Sequence, residues 1–343
     1  MNVINILNTI RANSSQMYQD RIPTATKENL QEIGGLLVEY KAARNEFVDA
    51  LINKIAFTIV SNRRYKNPLS ILKKGKKPFG TDIEEIFTNP ITGEEYDSTT
   101  TDDLLTIKKA DVKTIYHRSN RRNKYKVSVN IPELKRAFTN EGSFAEFVNS
   151  KLNAMYSGDE MDEYMLMRNL FSDAIKKNML VSYDLNYDGG ETSCKELIKL
   201  IKTLSANFTF MSRDYNGYNK LNAEGIEGGT ITACETWTPS ESQMILIRSD
   251  VDASTDVEVL AKAFNMDKTE FLSRKIVVDS FGDEDTLCVI LDDAFAKIYD
   301  ELYDVEEFTN GSNLVKTYWL HHWQTISLSL FANAVAIKQT ANA

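Results

Sequence analysis

A chain of 343 residues exceeds the usual size of a single hydrophobic core, so two subdomains are expected. Its composition, 42% apolar and 26% charged, is that of a globular protein and excludes a disordered chain. The formal net charge of −9 argues against a general nucleic-acid binder, because such proteins need a basic surface to displace counterions from phosphates. No apolar run approaches bilayer-spanning length and no secretory leader is recognisable, which predicts a cytosolic protein without a membrane partner.

The first sixty residues have apolar positions at three-to-four spacing, which is typical of amphipathic helices. The pattern includes Ile4, Leu7 and Ile10 and resumes over residues 36–55. We therefore expect residues 1–61 to form an N-terminal arm followed by a packed helix.

Charges between residues 63 and 126 come in blocks. Every ionisable residue in 63–77 is basic, every one in 82–103 is acidic, and 108–126 is basic apart from Asp111 and the neutral His117. Prolines, glycines and large apolar residues interrupt the blocks, which favours an ordered, extended excursion; a solvated loop of mixed charge is the alternative. An arm of this kind can lie on a second copy of itself. The candidate contact residues are Arg63, Arg64, Lys66, Lys73, Lys74, Lys76, Lys77, Asp82, Glu84, Glu85, Glu94, Glu95 and Asp97.

A capping box at Ser143 and Glu146 predicts the start of a long helix, whose apolar stripe continues to about residue 177 past a kink at 157–159. Shorter elements follow. Ser193 and Glu196 form a second capping box. Further helices are expected over 253–264 and 267–272, and strands over 244–247, 275–279, 287–291, 325–330 and 335–337. Mixed helices and strands predict an α+β subdomain.

The candidate chemical sites are weak. Asp184, Asn186 and Asp188 imitate the first ligands of a calcium loop, but Lys195 occupies the position that needs a bidentate carboxylate, so a polar turn is preferred. His321 and His322 are adjacent on an expected strand and point to opposite faces, which favours packing over metal binding or catalysis. Cys194, Cys234 and Cys288 lack the CxxC spacing of zinc sites. We therefore predict no catalytic, cofactor or metal site.

Several segments, in order along nearly the whole chain, closely resemble the major head proteins of small short-tailed phages with protein-primed linear genomes. They are Asn67-Pro68-Leu69, Lys73-Lys74-Gly75 and residues 83–88, 149–164, 257–266, 268–272, 323–325 and 331–336. The resemblance implies the α+β tailed-phage major capsid protein fold. Its parts would be an N-terminal arm and helix at 1–61, an extended loop at 62–131, a peripheral domain with a long spine helix at 132–184, an axial domain at 185–312, and a return to the peripheral domain at 313–343. An appended immunoglobulin-like domain is not expected.

The function implied by the resemblance is structural. Copies of the chain would form pentamers and hexamers of an icosahedral or prolate shell around double-stranded DNA, bound without sequence specificity. A scaffolding protein and a portal (connector) protein would be further partners, with assembly in the bacterial cytoplasm. An encapsulin-like cargo shell of the same fold is the alternative. Acidic residues of the axial domain would either face the genome or serve solubility. In the extended loop, Lys73, Lys74, Lys76 and Lys77 are expected to engage carboxylates of a neighbouring subunit rather than of their own.

Overall fold

The computed structural model describes residues 3–58, 65–95, 107–130, 141–255, 274–312 and 315–340. The chain divides into two compact units. Unit 1 comprises Met1–Asn67, Arg122–Asp162 and Leu302–His322, and unit 2 comprises Pro68–Arg121, Glu163–Glu301 and Trp323–Ala343. The expected segments 62–131, 132–184, 185–312 and 313–343 each contribute residues to both units, and their assignment to an extended loop, a peripheral domain and an axial domain stays a prediction.

Four helices form the N-terminal part of unit 1: α1 (Val3–Ala12), α2 (Gln16–Arg21), α3 (Leu30–Glu39) and α4 (Lys41–Thr58). The three-to-four spacing buries Val3, Leu7 and Ile10 on one side of α1. Ser15 caps α2, since its hydroxyl accepts a hydrogen bond from the backbone N–H of Tyr18. These helices share a core with Tyr318 and other apolar residues of unit 1. Within residues 3–58 the predicted helical character is confirmed, although four helices are present where an arm and one packed helix were expected.

The predicted long helix is α5 (Glu141–Lys176), which runs without interruption through residues 157–159. The helix begins two residues before Ser143, so Ser143 is not its N-cap residue. The second capping box is also wrong, because α6 (Glu191–Phe208) begins after Gly190 and already includes Ser193. The N-cap is Gly190, which has no side-chain cap hydrogen bond; the Asp188 carboxylate instead accepts hydrogen bonds from the Gly190 N–H and the Ser193 hydroxyl in the turn before the helix.

Short helices α7 (Gly217–Leu221), α8 (Ala223–Glu227) and α9 (Ser249–Ser254) lie in unit 2. Only the first residues of the helix expected over 253–264 fall within the described part of the chain, and the helix expected over 267–272 lies outside it. Among the described residues, no helix combines the length and apolar character needed to span a bilayer.

The described strands form three sheets. A four-stranded sheet has the order β1 (Lys73–Lys76), β9 (Ala296–Asn310), β10 (Val315–Leu328) and β4 (Arg121–Asn130). A five-stranded sheet has the order β5 (Val181–Leu185), β11 (Ala334–Gln339), β8 (Thr286–Asp292), β6 (Gln243–Arg248) and β7 (Lys275–Val278). Strands β2 (Ile83–Thr88) and β3 (Val112–His117) form a hairpin-like pair. All five predicted strands exist, although β10 begins ten residues before the predicted 325–330.

The five-stranded sheet is covered on both faces. Leu246 and Val289 contribute to one apolar cluster of unit 2, whereas their neighbours Ile245 and Ile290 contribute to the other. Side chains that alternate between two cores require strands that are apolar at nearly every position, as β6 and β8 are. The last strand, β11, pairs in parallel with β5 and antiparallel with β8, so this part of the expected C-terminal return joins the five-stranded sheet.

Candidate inter-subunit contact surface

The charged excursion contains the β2–β3 pair, whose two faces differ in exposure. The strands pair antiparallel, with Glu84 opposite Tyr116 and Ile86 opposite Thr114. Exposed and half-buried residues alternate along both strands, as expected when only one face of a sheet is covered. We call the exposed set the outward face: Glu84, Ile86, Thr88, Val112, Thr114 and Tyr116. We call the covered set the inward face: Ile83, Glu85, Phe87, Lys113, Ile115 and His117.

Glu85 attaches the inward face to the rest of unit 2. Its carboxylate lies 2.9 Å from Lys297 Nζ and 3.0 Å from His117 Nε2, and it accepts a 2.8 Å hydrogen bond from the Ser329 hydroxyl. The other ring nitrogen of His117 lies 2.8 Å from the Ser327 hydroxyl. Burial alone would raise the pKa of Glu85, but its hydrogen bonds and the Lys297 ammonium lower it below its ordinary value. The network therefore favours an ionised Glu85.

Aromatic and amide contacts attach the C-terminal end of β2 to the rest of unit 2. The ring of Phe87 stacks on Phe331 at a centroid distance of 5.2 Å, and Phe331 contacts Tyr218 at 5.7 Å. Asn89, immediately after β2, donates to the Ala233 carbonyl at 2.8 Å and accepts from the Glu235 N–H at 3.0 Å. The pair is thus fixed on its own chain at several points and presents only its outward face.

Two lysines of the basic block bond within their own chain. Lys73 Nζ lies 2.8 Å from Glu163 and 3.0 Å from Asp300. Burial alone would lower the pKa of Lys73, but the two carboxylates raise it above its ordinary value. Lys77 is buried and donates a 2.6 Å hydrogen bond to the Thr81 carbonyl, with Glu301 at 3.9 Å. The expectation that these two lysines engage carboxylates of a neighbouring subunit instead of their own is therefore wrong.

The remaining candidate residues fall into three groups. Exposed residues are Lys66, Lys74, Lys76, Asp82, Glu84, Glu94 and Glu95. Asp82 lies 3.3 Å from Arg118, and Glu94 pairs with Lys108. Arg63, Arg64 and Asp97 lie outside the described residues. Among the acidic candidates within β2, Glu84 faces outward and Glu85 faces inward.

Apolar residues on the outward face were missed by reasoning from charge. Ile86 is 60% exposed, Tyr116 59% and Val112 52%. Burying exposed side chains of this size contributes more to association than exposed ion pairs do. Alternation along residues 112–117 could assign these side chains to one face only once the partner strand was known. The pairing register was therefore the information that the sequence lacked.

The weaker candidate sites are accounted for by local contacts. Asp188 accepts hydrogen bonds from the Ser193 hydroxyl and the Gly190 N–H in the turn before α6, and these bonds lower its pKa. His322 is buried in β10, and its Nδ1 lies 2.7 Å from a carboxylate oxygen of the buried Asp159. The edge of the His322 ring meets the ring of Tyr303 at 4.8 Å. Both sites support packing and local order, as the sequence suggested.

Comparison with known proteins shows which protein family this chain is similar to. A family model described as Phi29-like phage major capsid protein matches residues 7–338. The major capsid protein of Bacillus phage B103 is 33% identical over 337 residues, covering 96% of this chain and 72% of the relative. That of Bacillus phage PZA is 31% identical over 335 residues, with the same coverage. The major capsid protein of Streptococcus phage Cp-1 is 28% identical, covering 96% of this chain and 92% of the relative.

Solved structures agree in fold. A chain of the Staphylococcus phage Andhra capsid superposes with a TM-score of 0.65 at 16% identity, covering 81% of this chain and 86% of that chain. A chain of the mature capsid of bacteriophage PhiM1 gives a TM-score of 0.50 at 9% identity, covering 82% and 90%. The α+β tailed-phage capsid fold is therefore confirmed. Because the family model covers almost all of the chain, the protein belongs to the Phi29-like phage major capsid proteins and is a structural component of a phage head.

Proposed function

We propose that copies of this chain associate as pentamers and hexamers into a closed icosahedral or prolate shell, assembled in the cytoplasm of the bacterial host. The observation that carries the proposal is the β2–β3 pair, which is fixed on its own chain through Glu85 and Phe87 while apolar and acidic side chains of its outward face stay exposed. A surface that is held rigid before association loses little conformational freedom when it binds.

The contact residues proposed for this loop are those that the chain leaves exposed. They are Lys66, Lys74, Lys76, Asp82, Glu84, Glu94 and Glu95, together with the outward apolar residues. Arg63, Arg64 and Asp97, which lie outside the described residues, are also proposed as contact residues because of their charge. Lys73, Lys77 and Glu85 position the loop on its own subunit. A contact that is weak by itself can close a shell when it is repeated, because each added subunit is held by several neighbours at once.

A scaffolding protein and a portal protein are proposed as further partners, and the enclosed cargo is proposed to be double-stranded DNA without sequence recognition. The net charge of −9 supports this last point, because an acidic wall repels the DNA backbone and leaves a packaged genome mobile. An encapsulin-like cargo shell is not favoured, since the curated relatives are phage major capsid proteins.

The test is assembly. The purified chain, concentrated alone and mixed with the scaffolding protein of the same phage, is examined by light scattering and negative-stain electron microscopy. We expect closed particles or ordered sheets. A chain that stays monomeric or dimeric under all of these conditions would contradict the proposal.

A further inference from the structure

A basic stripe runs along β4, the outermost strand of the four-stranded sheet. Arg122, Lys124 and Lys126 are exposed, whereas the residues between them are half-buried. Side chains two apart on a strand share a face and stand about 6–7 Å apart. The stripe therefore presents three cations at a regular repeat.

Aromatic rings lie beside this stripe within unit 1. Lys126 Nζ lies 5.8 Å from the ring centroid of Trp319, and the ring of Phe308 lies 6.5 Å from that of Trp319. Trp319 is half-buried and Phe308 is exposed. The surface thus combines cations with apolar area; we call it the β4 face.

The acidic end of the β2–β3 pair has the complementary character. Glu84 in β2 and Asp82, one residue before the strand, are both exposed and two residues apart, although Asp82 lies 3.3 Å from the exposed Arg118 of its own chain. Ile86 continues the row, and the exposed ring of Tyr116 lies opposite Glu84 and donates a 2.9 Å hydrogen bond to it. Carboxylates followed by apolar side chains match cations flanked by aromatic rings.

We propose that the outward face of one copy, together with the adjacent Asp82, binds the β4 face of a neighbouring copy, with Asp82 and Glu84 opposite the basic stripe and Ile86 against the apolar area. The inference rests on the proposed function and names the partner surface of the loop. Charge complementarity favours a second copy as the partner of the β4 face. The stripe is basic on a chain whose net charge is −9, and Asp82 and Glu84 are followed by exposed apolar residues.

A charge-swap experiment tests the pairing. One variant carries Asp82→Lys and Glu84→Lys, a second carries Lys124→Glu and Lys126→Glu, and a third carries all four changes. The matched control is Lys199→Glu with Lys202→Glu, two exposed lysines of α6. Each is expressed with the scaffolding protein, and soluble subunits are checked by circular dichroism and melting.

We expect the first two variants to fold normally but give at least tenfold fewer particles, because like charges then face each other. The third variant should recover particles at half the wild-type yield or more, and the control should assemble normally. Folded first and second variants that assemble like wild type would overturn the pairing and leave the shell function standing. So would a folded third variant that gives no particles. A wild-type chain that never assembles would contradict both.

A second measurement avoids mutation. Particles assembled from equal amounts of ¹⁴N- and ¹⁵N-labelled chains are treated with a carbodiimide, which joins carboxylates to amines in contact. We expect mixed-isotope peptides that join Asp82 or Glu84 to Lys124 or Lys126. If other inter-copy links are abundant and these are absent, the pairing is wrong.

Discussion

Lys73 and Glu163 form an ion pair of 2.8 Å in which the Glu163 carboxylate is almost fully buried. Asp300 lies 3.0 Å from the same ammonium, and the Gln324 amide donates to both carboxylates. These two carboxylates, of which Glu163 is buried and Asp300 half-buried, need a cation because like charges in a poorly solvated site repel each other strongly. The basic block thus separates into Lys73 and Lys77, which serve the subunit, and Lys74 and Lys76, which are exposed.

The first prediction follows from this separation. Lys73→Met removes the ammonium and leaves Glu163 with the more distant guanidinium of Arg121, at 4.0 Å. We therefore expect a loss of about 3 kcal/mol in the free energy of unfolding, the lower end for breaking a buried pair. The melting temperature should fall by several degrees in circular dichroism. Lys74→Met is the matched control and should melt like wild type. Equal melting of the two variants would show that the pair contributes nothing to the fold.

The second prediction concerns the exposed lysines. Lys74→Glu combined with Lys76→Glu should leave circular dichroism and melting unchanged but reduce particle yield, because a small loss is repeated at every interface. Added salt should restore part of the yield, as the screening length falls below about 8 Å. Normal assembly at low salt would remove these two lysines from the contact.

Continuous apolar runs made the buried strands predictable. Strands β6 and β8 are apolar at nearly every position, which requires cover on both faces, and the structure provides it. Strand β9 was not predicted. It carries Asp300, Glu301, Asp304, Glu306 and Glu307, residues that are disfavoured in strands, and its conformation comes from pairing within the four-stranded sheet. Tertiary pairing overrides local propensity there.

The candidate contact residues were predictable only as a block. Charge order along the chain identified the loop, but it could not separate Glu84 from Glu85, which differ by one position and lie on opposite faces. Register between strands decides that question, and it depends on partner residues far away in the sequence: Glu84 pairs with Tyr116, 32 residues later. The pairing of Lys73 with Glu163 depends on contacts between residues far apart in sequence, which residue patterns do not encode.

The third prediction addresses the turn before α6. Because the Asp188 carboxylate already accepts hydrogen bonds from the Gly190 N–H and the Ser193 hydroxyl, it orders the turn without a cation. Chelation of divalent ions should leave the melting temperature unchanged. A fall on chelation that calcium reverses, and that Asp184→Ala abolishes, would establish a calcium site instead.

The fourth prediction compares two glycines. A Cβ at Gly217, the first residue of α7, would clash with the backbone carbonyl of Met179, so Gly217→Ala should destabilise unit 2 by about 1–3 kcal/mol. Gly35 lies within α3 with open space around its Cα. Gly35→Ala should therefore stabilise the chain by up to about 1 kcal/mol through helix propensity. Thermal denaturation of the two variants should shift in opposite directions; shifts of the same sign would refute the packing at Gly217.

The last prediction concerns the pH dependence of the attachment of the β2–β3 pair. Glu85 has a folded-state pKa below the ordinary value of 4.5, so the folded state binds fewer protons than the unfolded state in acid. Its contribution is therefore complete above pH 4.5 and is lost as the pH falls through the lowered pKa. Glu85→Gln should lose about 2 kcal/mol at pH 7, the scale of a charge-assisted hydrogen-bond network. The gap in melting temperature between wild type and variant should narrow between pH 5 and pH 3.

Glu84→Gln, one residue away on the outward face, is the control and should show no gap at either pH. A gap for Glu85→Gln that stays constant into acid would mean that its charge does not hold the pair in place.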